Sequence, residues 1–237
     1  MDEALYLKDC YLKEWEAEVK EVNEGKFIVL DRTAFYPRGG GQPNDTGVMV
    51  RVSDGKEFRV VFAGKFSGKI SHEVDQEGLQ VGDKVNCKLD WERRHKLMRQ
   101  HTASHILSAI MFKEAGALIT GNQLDMEKSR IDFNLENFDR EKLMEYIRMS
   151  NEIVRKDLPI KIYSVPREEA EKDPSMVKLA KGLPPIIKEI RIVEIVGFDR
   201  QPDGGTHVKS TKEVGELKFV DASNKGKNNR RVYFILQ

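Results

Sequence analysis

Alternating apolar and polar positions dominate the chain up to about Leu89. The alternation runs through EAEVKEVNEGKFIVLD, where NEG marks a turn, and through GVMVRV, EFRVVFAG, GKISHEV and DKVNCKLD. Gly or Asp residues separate these segments, and a period of two is typical of strands with one buried face. Short strands at regular spacing predict a small β-barrel over residues 1–89.

The period changes near Asp90, where WERRHKLMRQHTASHILSAIMFKEAG begins. Apolar residues and two histidines of this segment fall on one helical stripe, and Gly116 follows as a C-terminal cap. ALITGNQLDMEKSRIDFNL then predicts a hairpin. Asp139 is expected to N-cap a second helix, REKLMEYIRMSNEIVRK.

The remaining pattern predicts a strand in IKIYSVP and a polar helix near Glu168 to Lys181. Three more strands are expected in RIVEIVGFD and VGELKFVDASNKGKNNRRVYFILQ, with a turn at NKGKNN. Strands and helices mix without a βαβ rhythm. We therefore predict an α+β fold with two domains: the barrel, residues 1–89, and a mixed domain with antiparallel sheet and helices, residues 90–237.

Composition limits the classes of function. The chain has 237 residues and a formal net charge of +1, so any nucleic-acid surface must be local. Cys10 and Cys87 lie far apart and form no CxxC pattern, which indicates reduced thiols. No apolar run approaches the ~18 residues of a membrane span, and the acidic start lacks a secretory-signal layout. We expect a cytoplasmic protein with no membrane partner.

Histidine spacing suggests a metal site. In HTASH, His101 and His105 lie four residues apart and would share one helix face. QPDGGTHV adds Asp203 and His207, with two glycines between them that permit the positive φ of a tight curl. Three imidazoles and one carboxylate suit a single Zn²⁺ ion.

A histidine pair alone is more often packed or exposed than metal-binding, and we interpret His72 and His95 in that way. Thr102 follows the first histidine of the pair, at the place where HExxH proteases carry their Glu base. The sequence therefore disfavours a protease.

A third motif is TAFYPRGGGQPNDTG, in which Gly39, Gly40 and Gly41 precede Gln42. One interpretation is an ordinary turn or bulge of the barrel. Three glycines before Gln-Pro instead favour a backbone that a ligand approaches closely. The lysine of a phosphate loop is absent.

Together, HTASH, QPDGGTHV with TKEVGELKF after it, and TAFYPRGGGQPNDTG resemble the editing region of alanyl-tRNA synthetases and its free-standing AlaX relatives, in the medium-length form. The resemblance spans most of the chain. It implies an ATP-independent, zinc-dependent esterase that deacylates Ser-tRNA(Ala), and Gly-tRNA(Ala) as a further substrate, in trans. The family's ligands fall on His101, His105, Asp203 and His207.

Asp203 departs from the family pattern, which usually has cysteine there. A carboxylate is a harder, less charge-donating ligand than a thiolate. The fourth ligand is thus open, with Asp199 and Gln201 as nearby substitutes.

The resemblance also implies site residues. For catalysis we predict Gly40, Gly41, Gln42 and Thr206, with backbone N–H groups of the two glycines and of Gly204 as oxyanion donors. Thr120, Asn122 and Gln42 are the predicted substrate contacts, although Thr120 could be an ordinary hairpin residue. Basic runs that lie near HTASH and GGTHV in the sequence predict RNA contacts, although such runs are also typical of solvated faces. The predicted contacts are Arg93, Arg94, Lys96, Arg99, Lys209, Lys225, Lys227 and Arg230, with Arg231 beside them.

Two other functions fit the same residues. One is a tRNA-binding module with a structural zinc whose four positions are all filled. The other is an editing hydrolase for a different mischarged tRNA, because the editing region of threonyl-tRNA synthetase shares the histidine pair. The GGGQP motif favours the alanine family. The sequence does not determine the oligomeric state.

Overall fold

A computed structural model describes residues 3–137, 139–170 and 188–237. The chain divides into two compact units, residues 1–97 and residues 98–237. The division falls within the long helix that begins at Trp91.

The first unit contains the predicted barrel. Its strands are β1 (Glu3–Ala4), β2 (Glu14–Asn23), β3 (Phe27–Leu30), β4 (Arg32–Thr33), β5 (Gly47–Arg51), β6 (Glu57–Phe66), β7 (Lys69–Val74) and β8 (Lys84–Leu89). Six of them close in the order β2-β3-β7-β6-β5-β8, and every neighbouring pair is antiparallel. The two-residue strands β1 and β4, which the alternation did not indicate, form a separate parallel pair.

Alternation explains why the barrel closes around one core. In β8, Val85, Cys87 and Leu89 are buried, whereas the residues between them are exposed. Cys10 is also buried, and neither cysteine forms a disulfide. Local patterning is thus sufficient to set the register of this unit.

The second unit is α+β, which confirms the predicted fold class. Its helices are α1 (Trp91–Ala115, beginning in the first unit), α2 (Arg140–Arg155) and α3 (Arg167–Ala170). Its strands are β9 (Ile119–Gln123), β10 (Ser129–Phe133), β11 (Ile160–Pro166), β12 (Glu189–Ile195), β13 (Asp199–Pro202), β14 (Leu217–Asn224) and β15 (Arg230–Leu236). They form two antiparallel sheets, ordered β14-β15-β10-β9 and β11-β12-β13.

Local signals set the ends of the helices as predicted. Gly116 follows α1 with a φ of +62°, and the Asp139 side chain accepts hydrogen bonds from the backbone N–H groups of Glu141 and Lys142. Of the polar helix predicted near Glu168 to Lys181, the structure describes α3, and residues 171–187 lie outside the described part. Strand β13 was not predicted, because its sequence DRQP has no apolar alternation.

Helix α1 is buried on all sides from Gln100 to Met111, more than the predicted stripe requires. Thr102, Ser104 and Ser108 are among the buried polar residues of this helix. Their small side chains allow neighbouring segments to approach closely. Within the described residues, no helix is long and apolar enough to cross a membrane.

Candidate metal centre

Helix α1 supplies two imidazoles. His101 and His105 lie one helical turn apart, and their ring centroids are 5.2 Å apart. Both side chains are buried. Backbone geometry alone therefore aims both rings at the same space.

The loop after β13 supplies the other two side chains. Gly204 and Gly205 do not have the positive φ that we predicted. The Asp203 carboxylate instead accepts a hydrogen bond from the backbone N–H of Gly205 at 2.5 Å. Arg191 of β12 donates to the Asp203 carbonyl oxygen at 2.8 Å. A side-chain turn and a neighbouring strand thus hold the curl without left-handed glycines.

The four side chains converge. Ligand atoms of His101, His105, Asp203 and His207 all lie within 4.8 Å of one another. Asp203 Oδ1 is 3.4 Å from His101 Nε2 and 3.9 Å from His105 Nε2, and Asp203 Oδ2 is 3.1 Å from His207 Nε2. The ring of His207 lies 4.3 Å from that of His101 and 4.6 Å from that of His105. This group could bind a metal ion.

The protonation states of His207 and Asp203 suit a metal. Burial, followed by the charge of His101, lowers the pKa of His207 to about 4, so its imidazole is neutral near pH 7. Burial raises the pKa of Asp203, but the charge of His101 and hydrogen bonds from His101 and His207 outweigh it and hold the pKa well below its usual range. Neutral imidazole and ionised carboxylate are the forms that bind cations.

A second contact orients His207. Its Nδ1 lies 3.1 Å from Thr102 Oγ1, and Thr102 Oγ1 also accepts a hydrogen bond from the Val208 N–H at 3.4 Å. The Thr102 hydroxyl thus contacts Nδ1 of His207, and Nε2 of His207 faces the other three side chains of the cluster. Outer contacts of this kind fix the ring and tautomer of a metal-binding histidine.

Sequence reasoning did not assign Thr102 and Arg191 to this site. In the sequence, Thr102 was used only to argue against a protease, although its position next to His101 also indicated that it could contact the site. Arg191 carries no such signal, because its contact with Asp203 depends on the pairing of β12 with β13.

The two substitute ligands have other contacts. Gln201 donates from Nε2 to Asp199 Oδ2 at 2.8 Å, and both side chains are buried. The convergent group contains Asp203 instead.

The glycine motif lies in the first unit. Gly40 and Gly41 have φ values of +57° and +85°, a region that favours glycine. Gly39 and Gln42 exchange backbone hydrogen bonds of 3.1 and 2.9 Å, which closes a tight turn, and the Gln42 side chain is buried. The Tyr36 hydroxyl donates to the Gly39 carbonyl at 3.0 Å.

Arg94, predicted to contact RNA, is fully buried and holds the ends of this motif. Its Nε is 3.0 Å from both carboxylate oxygens of Asp45, and its other nitrogens donate to the carbonyls of Cys10 at 2.9 Å and Ala34 at 2.5 Å. The Asp45 carboxylate also accepts from the Tyr36 N–H at 2.6 Å. Such a guanidinium has no surface to offer a phosphate, so Arg94 is corrected from an RNA contact to an internal brace.

Arg230 is likewise corrected, because it is buried and donates to the carbonyls of Gly226 at 2.7 Å and Asn229 at 3.1 Å within its own turn. Arg93 donates to the Asn44 carbonyl at 3.0 Å, and Arg99 donates to the Val214 carbonyl at 2.9 Å.

The lysines among the predicted RNA contacts are more accessible. Lys96 pairs with Glu92 at 3.0 Å and keeps 44% of its side chain exposed. Lys209, Lys225 and Lys227 are exposed.

The predicted substrate contacts Thr120 and Asn122 differ in burial. Thr120 is exposed, and its hydroxyl donates to Asn229 Oδ1 at 3.1 Å. Asn122 is half-buried and pairs in register with Ile131, which is fully buried. Thr206, which precedes His207 in the sequence, is buried.

His72, interpreted as a packed residue, lies inside the barrel between Thr33 Oγ1 and the Ile28 carbonyl, each 2.9 Å away.

Family models match both units. Residues 5–93 match the class II (A) tRNA synthetases, and residues 190–233 match the second additional domain of threonyl and alanyl tRNA synthetases. The second match contains Asp203 and His207. The fold and the site thus place this protein in the class of proteins that are related to aminoacyl-tRNA synthetases.

Individual relatives narrow the class. The alanyl-tRNA editing protein AlaX-M of Methanosarcina mazei is 54% identical, covering 100% of this chain and 97% of its own. AlaX-M of Saccharolobus solfataricus is 49% identical and covers 100% of both chains. The alanine–tRNA ligase of Pyrobaculum calidifontis is 38% identical over 90% of this chain but only 24% of its own. The chain belongs to the AlaX-M family of alanyl-tRNA editing proteins.

Proposed function

We propose that this protein is a zinc-dependent aminoacyl-tRNA deacylase that removes serine from mischarged tRNA(Ala) in trans. Gly-tRNA(Ala) is proposed as its second substrate. The names of the relatives support alanyl-tRNA editing, and the observation that carries the chemistry is the convergence of His101, His105, Asp203 and His207 within 4.8 Å. A cytoplasmic location for the protein is part of the same proposal.

The four residues fit Zn²⁺, because three imidazoles and a carboxylate match its preferred ligand types. Bound zinc would supply a Lewis acid that polarises a carbonyl and lowers the pKa of a water. The protein's own residues complete the proposed site. Thr102 orients His207, and the backbone N–H of Gly204 is the proposed donor to the developing oxyanion. The backbone N–H groups of Gly40 and Gly41, in the first unit, stay donors predicted from the sequence.

Selectivity requires a polar group that hydrogen-bonds the serine hydroxyl. A site of this kind rejects alanine because its own buried polar group would be left unpaired. Asn122 is favoured over Thr120 as this contact, since its register pairs it with buried Ile131 whereas Thr120 is exposed and bonded to Asn229. Gln42, which is buried, is the second candidate.

Deacylation assays test this function. The purified protein should release serine from Ser-tRNA(Ala) much faster than alanine from Ala-tRNA(Ala), with Gly-tRNA(Ala) assayed in parallel and zinc quantified in the same samples. His101→Ala should lose both zinc and activity. His95→Ala is the matched control, because His95 stacks on Trp91 and lies outside the cluster. Loss of activity in both variants would contradict the assignment.

A structural zinc in a tRNA-binding module is the second candidate, and the presence of a fourth ligand residue favours it. A filled tetrahedral site has no position for water or substrate. Bound zinc and tRNA binding without release of any amino acid would support this alternative. Release of an amino acid only from a tRNA other than tRNA(Ala) would instead indicate a different editing substrate.

A further inference from the structure

One face of the four-stranded sheet β14-β15-β10-β9 is polar and cationic. On the two central strands, Ile131, Phe133, Val232 and Phe234 are buried on the opposite face. The register pairs Arg130 with Tyr233 and Asp132 with Arg231 across the same strands. These four side chains therefore lie together on the outer face, because successive residues of a strand alternate between faces.

Hydrogen bonds hold the two guanidinium groups in place. Arg231 donates from two nitrogens to the two carboxylate oxygens of Asp132 at 2.7 and 2.8 Å. Arg130 donates to Asp132 at 3.0 Å and to Gln123 Oε1 at 3.3 and 3.1 Å. About a fifth of each arginine side chain stays exposed, 24% for Arg130 and 18% for Arg231. Fixed guanidinium groups lose less conformational entropy when they bind an anion.

Two exposed lysines border the same face. The Lys128 ammonium lies 5.3 Å from the ring centroid of Tyr233. Lys225 follows β14 two residues after Ser223, which pairs in register with Arg231, so strand alternation carries Lys225 to the same face. Its backbone N–H donates to the Asn229 carbonyl at 2.9 Å. The other carboxylate aligned with this face, Asp221, already accepts a hydrogen bond from Arg140 at 3.4 Å. Cations thus dominate what this face presents to solvent.

We propose that this face, formed by Gln123, Lys128, Arg130, Lys225, Arg231 and Tyr233, binds the phosphate backbone of the substrate tRNA. The identity of the RNA rests on the proposed function. An antiparallel sheet face is polar whenever it meets water. Two braced arginines flanked by lysines and a tyrosine are, in addition, complementary to a polyanion, and such contacts position RNA without reading its sequence.

The test variant is Lys128→Gln/Arg130→Gln/Lys225→Gln. It retains Arg231, so that Asp132 keeps its two-bond partner. The matched control is Lys142→Gln/Arg148→Gln/Arg155→Gln, which removes the same charge from exposed positions of α2. Binding of uncharged tRNA(Ala) to the full-length protein is measured by fluorescence anisotropy across a range of salt concentrations.

Three lost phosphate contacts should reduce the slope of log K against log salt by about 2 to 3 and weaken binding at ~0.1 M salt about 10- to 100-fold. The control should bind within about twofold of wild type. Unchanged affinity in the test variant, or equal weakening in both variants, would overturn the proposal.

This experiment separates the two claims. If wild type binds tRNA through this face but releases no amino acid, the proposed deacylase fails and the RNA surface stands. If wild type deacylates Ser-tRNA(Ala) and the test variant keeps the wild-type affinity and salt slope, the deacylase stands and the RNA surface fails.

Discussion

Asp203 is the residue at which this chain differs from the cysteine of the pattern it resembles. The structure brings its carboxylate to all three histidines, where the backbone N–H of Gly205 donates to the carboxylate and Arg191 donates to the Asp203 carbonyl oxygen. At this scale, the chemistry depends on single side chains whose positions are set by one or two hydrogen bonds.

Replacing Asp203 tests its part in metal binding. Asp203→Ala should weaken zinc affinity by at least about 100-fold, because one charged ligand is lost. Asp203→Cys should retain or strengthen zinc binding, since a thiolate suits Zn²⁺. Competition with a chromogenic chelator gives both values. Equal zinc affinity of wild type and the alanine variant would show that Asp203 is not a ligand.

The contact of the Thr102 hydroxyl with His207 allows a separate prediction. Thr102→Val keeps the shape but removes the hydroxyl from His207 Nδ1, and should lower zinc affinity or deacylation about 10- to 100-fold. Thr102→Ser should restore most of the loss, and Thr120→Val, at a threonine outside the cluster, serves as the control for zinc affinity. Chelator competition and deacylation rates are the measurements. If Thr102→Ser is as impaired as Thr102→Val, the methyl group matters rather than the hydroxyl.

Elements in this protein are joined by buried polar groups as well as by apolar packing. Arg94, in the first turn of α1, contacts the carbonyl oxygens of Cys10 and Ala34 and the carboxylate of Asp45. Both ends of the glycine motif are therefore tied to the start of the helix. A buried pair of this kind stabilises the fold only while both partners remain.

Removing one partner should be costly. Arg94→Met leaves Asp45 charged and buried, and should lower the free energy of unfolding by about 3–5 kcal/mol in urea denaturation. The double variant Arg94→Met/Asp45→Asn should lose less than the sum of the two single variants. Lys96→Met, which breaks an exposed pair with Glu92, should cost less than about 1 kcal/mol. A small effect of Arg94→Met would contradict the brace.

At the scale of the whole molecule, the chain divides into two compact units, and all four candidate ligands lie in the second unit, residues 98–237. A ligand that binds only the folded state stabilises the unit that contains its site. Zinc is therefore expected to act unequally on the two units.

Zinc removal should reveal this difference. Chelation should destabilise the second unit and leave the barrel nearly unchanged. Hydrogen exchange should therefore show reduced amide protection in α2 and β15 but nearly the same protection in β2 and β8. His101→Ala should unfold at the same temperature with and without chelator. An equal shift in both units would indicate that they unfold as one.

Local signals in the sequence determined the barrel strands, the limits of α1 and α2, and the pairing of His101 with His105. Alternation, capping residues and helical spacing act over a few residues, so each can be recognised without knowledge of the rest of the fold. The motif QPDGGTHV and the family resemblance also predicted Asp203 and His207 as ligands, and the structure brings both to the histidine pair.

Only the tertiary structure decided which polar residues are buried and what they contact. Arg94 and Arg230 occur in basic runs that are typical of surfaces, yet both are buried. Carbonyls and a carboxylate that are distant in the sequence surround Arg94, whereas Arg230 donates to carbonyls of its own turn. The loop at Asp203 curls through a side-chain hydrogen bond rather than through glycine φ angles. Asn122 lies opposite buried Ile131 in the strand register, whereas Thr120 lies at the register shift between Ile119 and Gly121. The surroundings of Arg94 and of Asn122 depend on contacts between segments far apart in the sequence, and no local pattern encodes them.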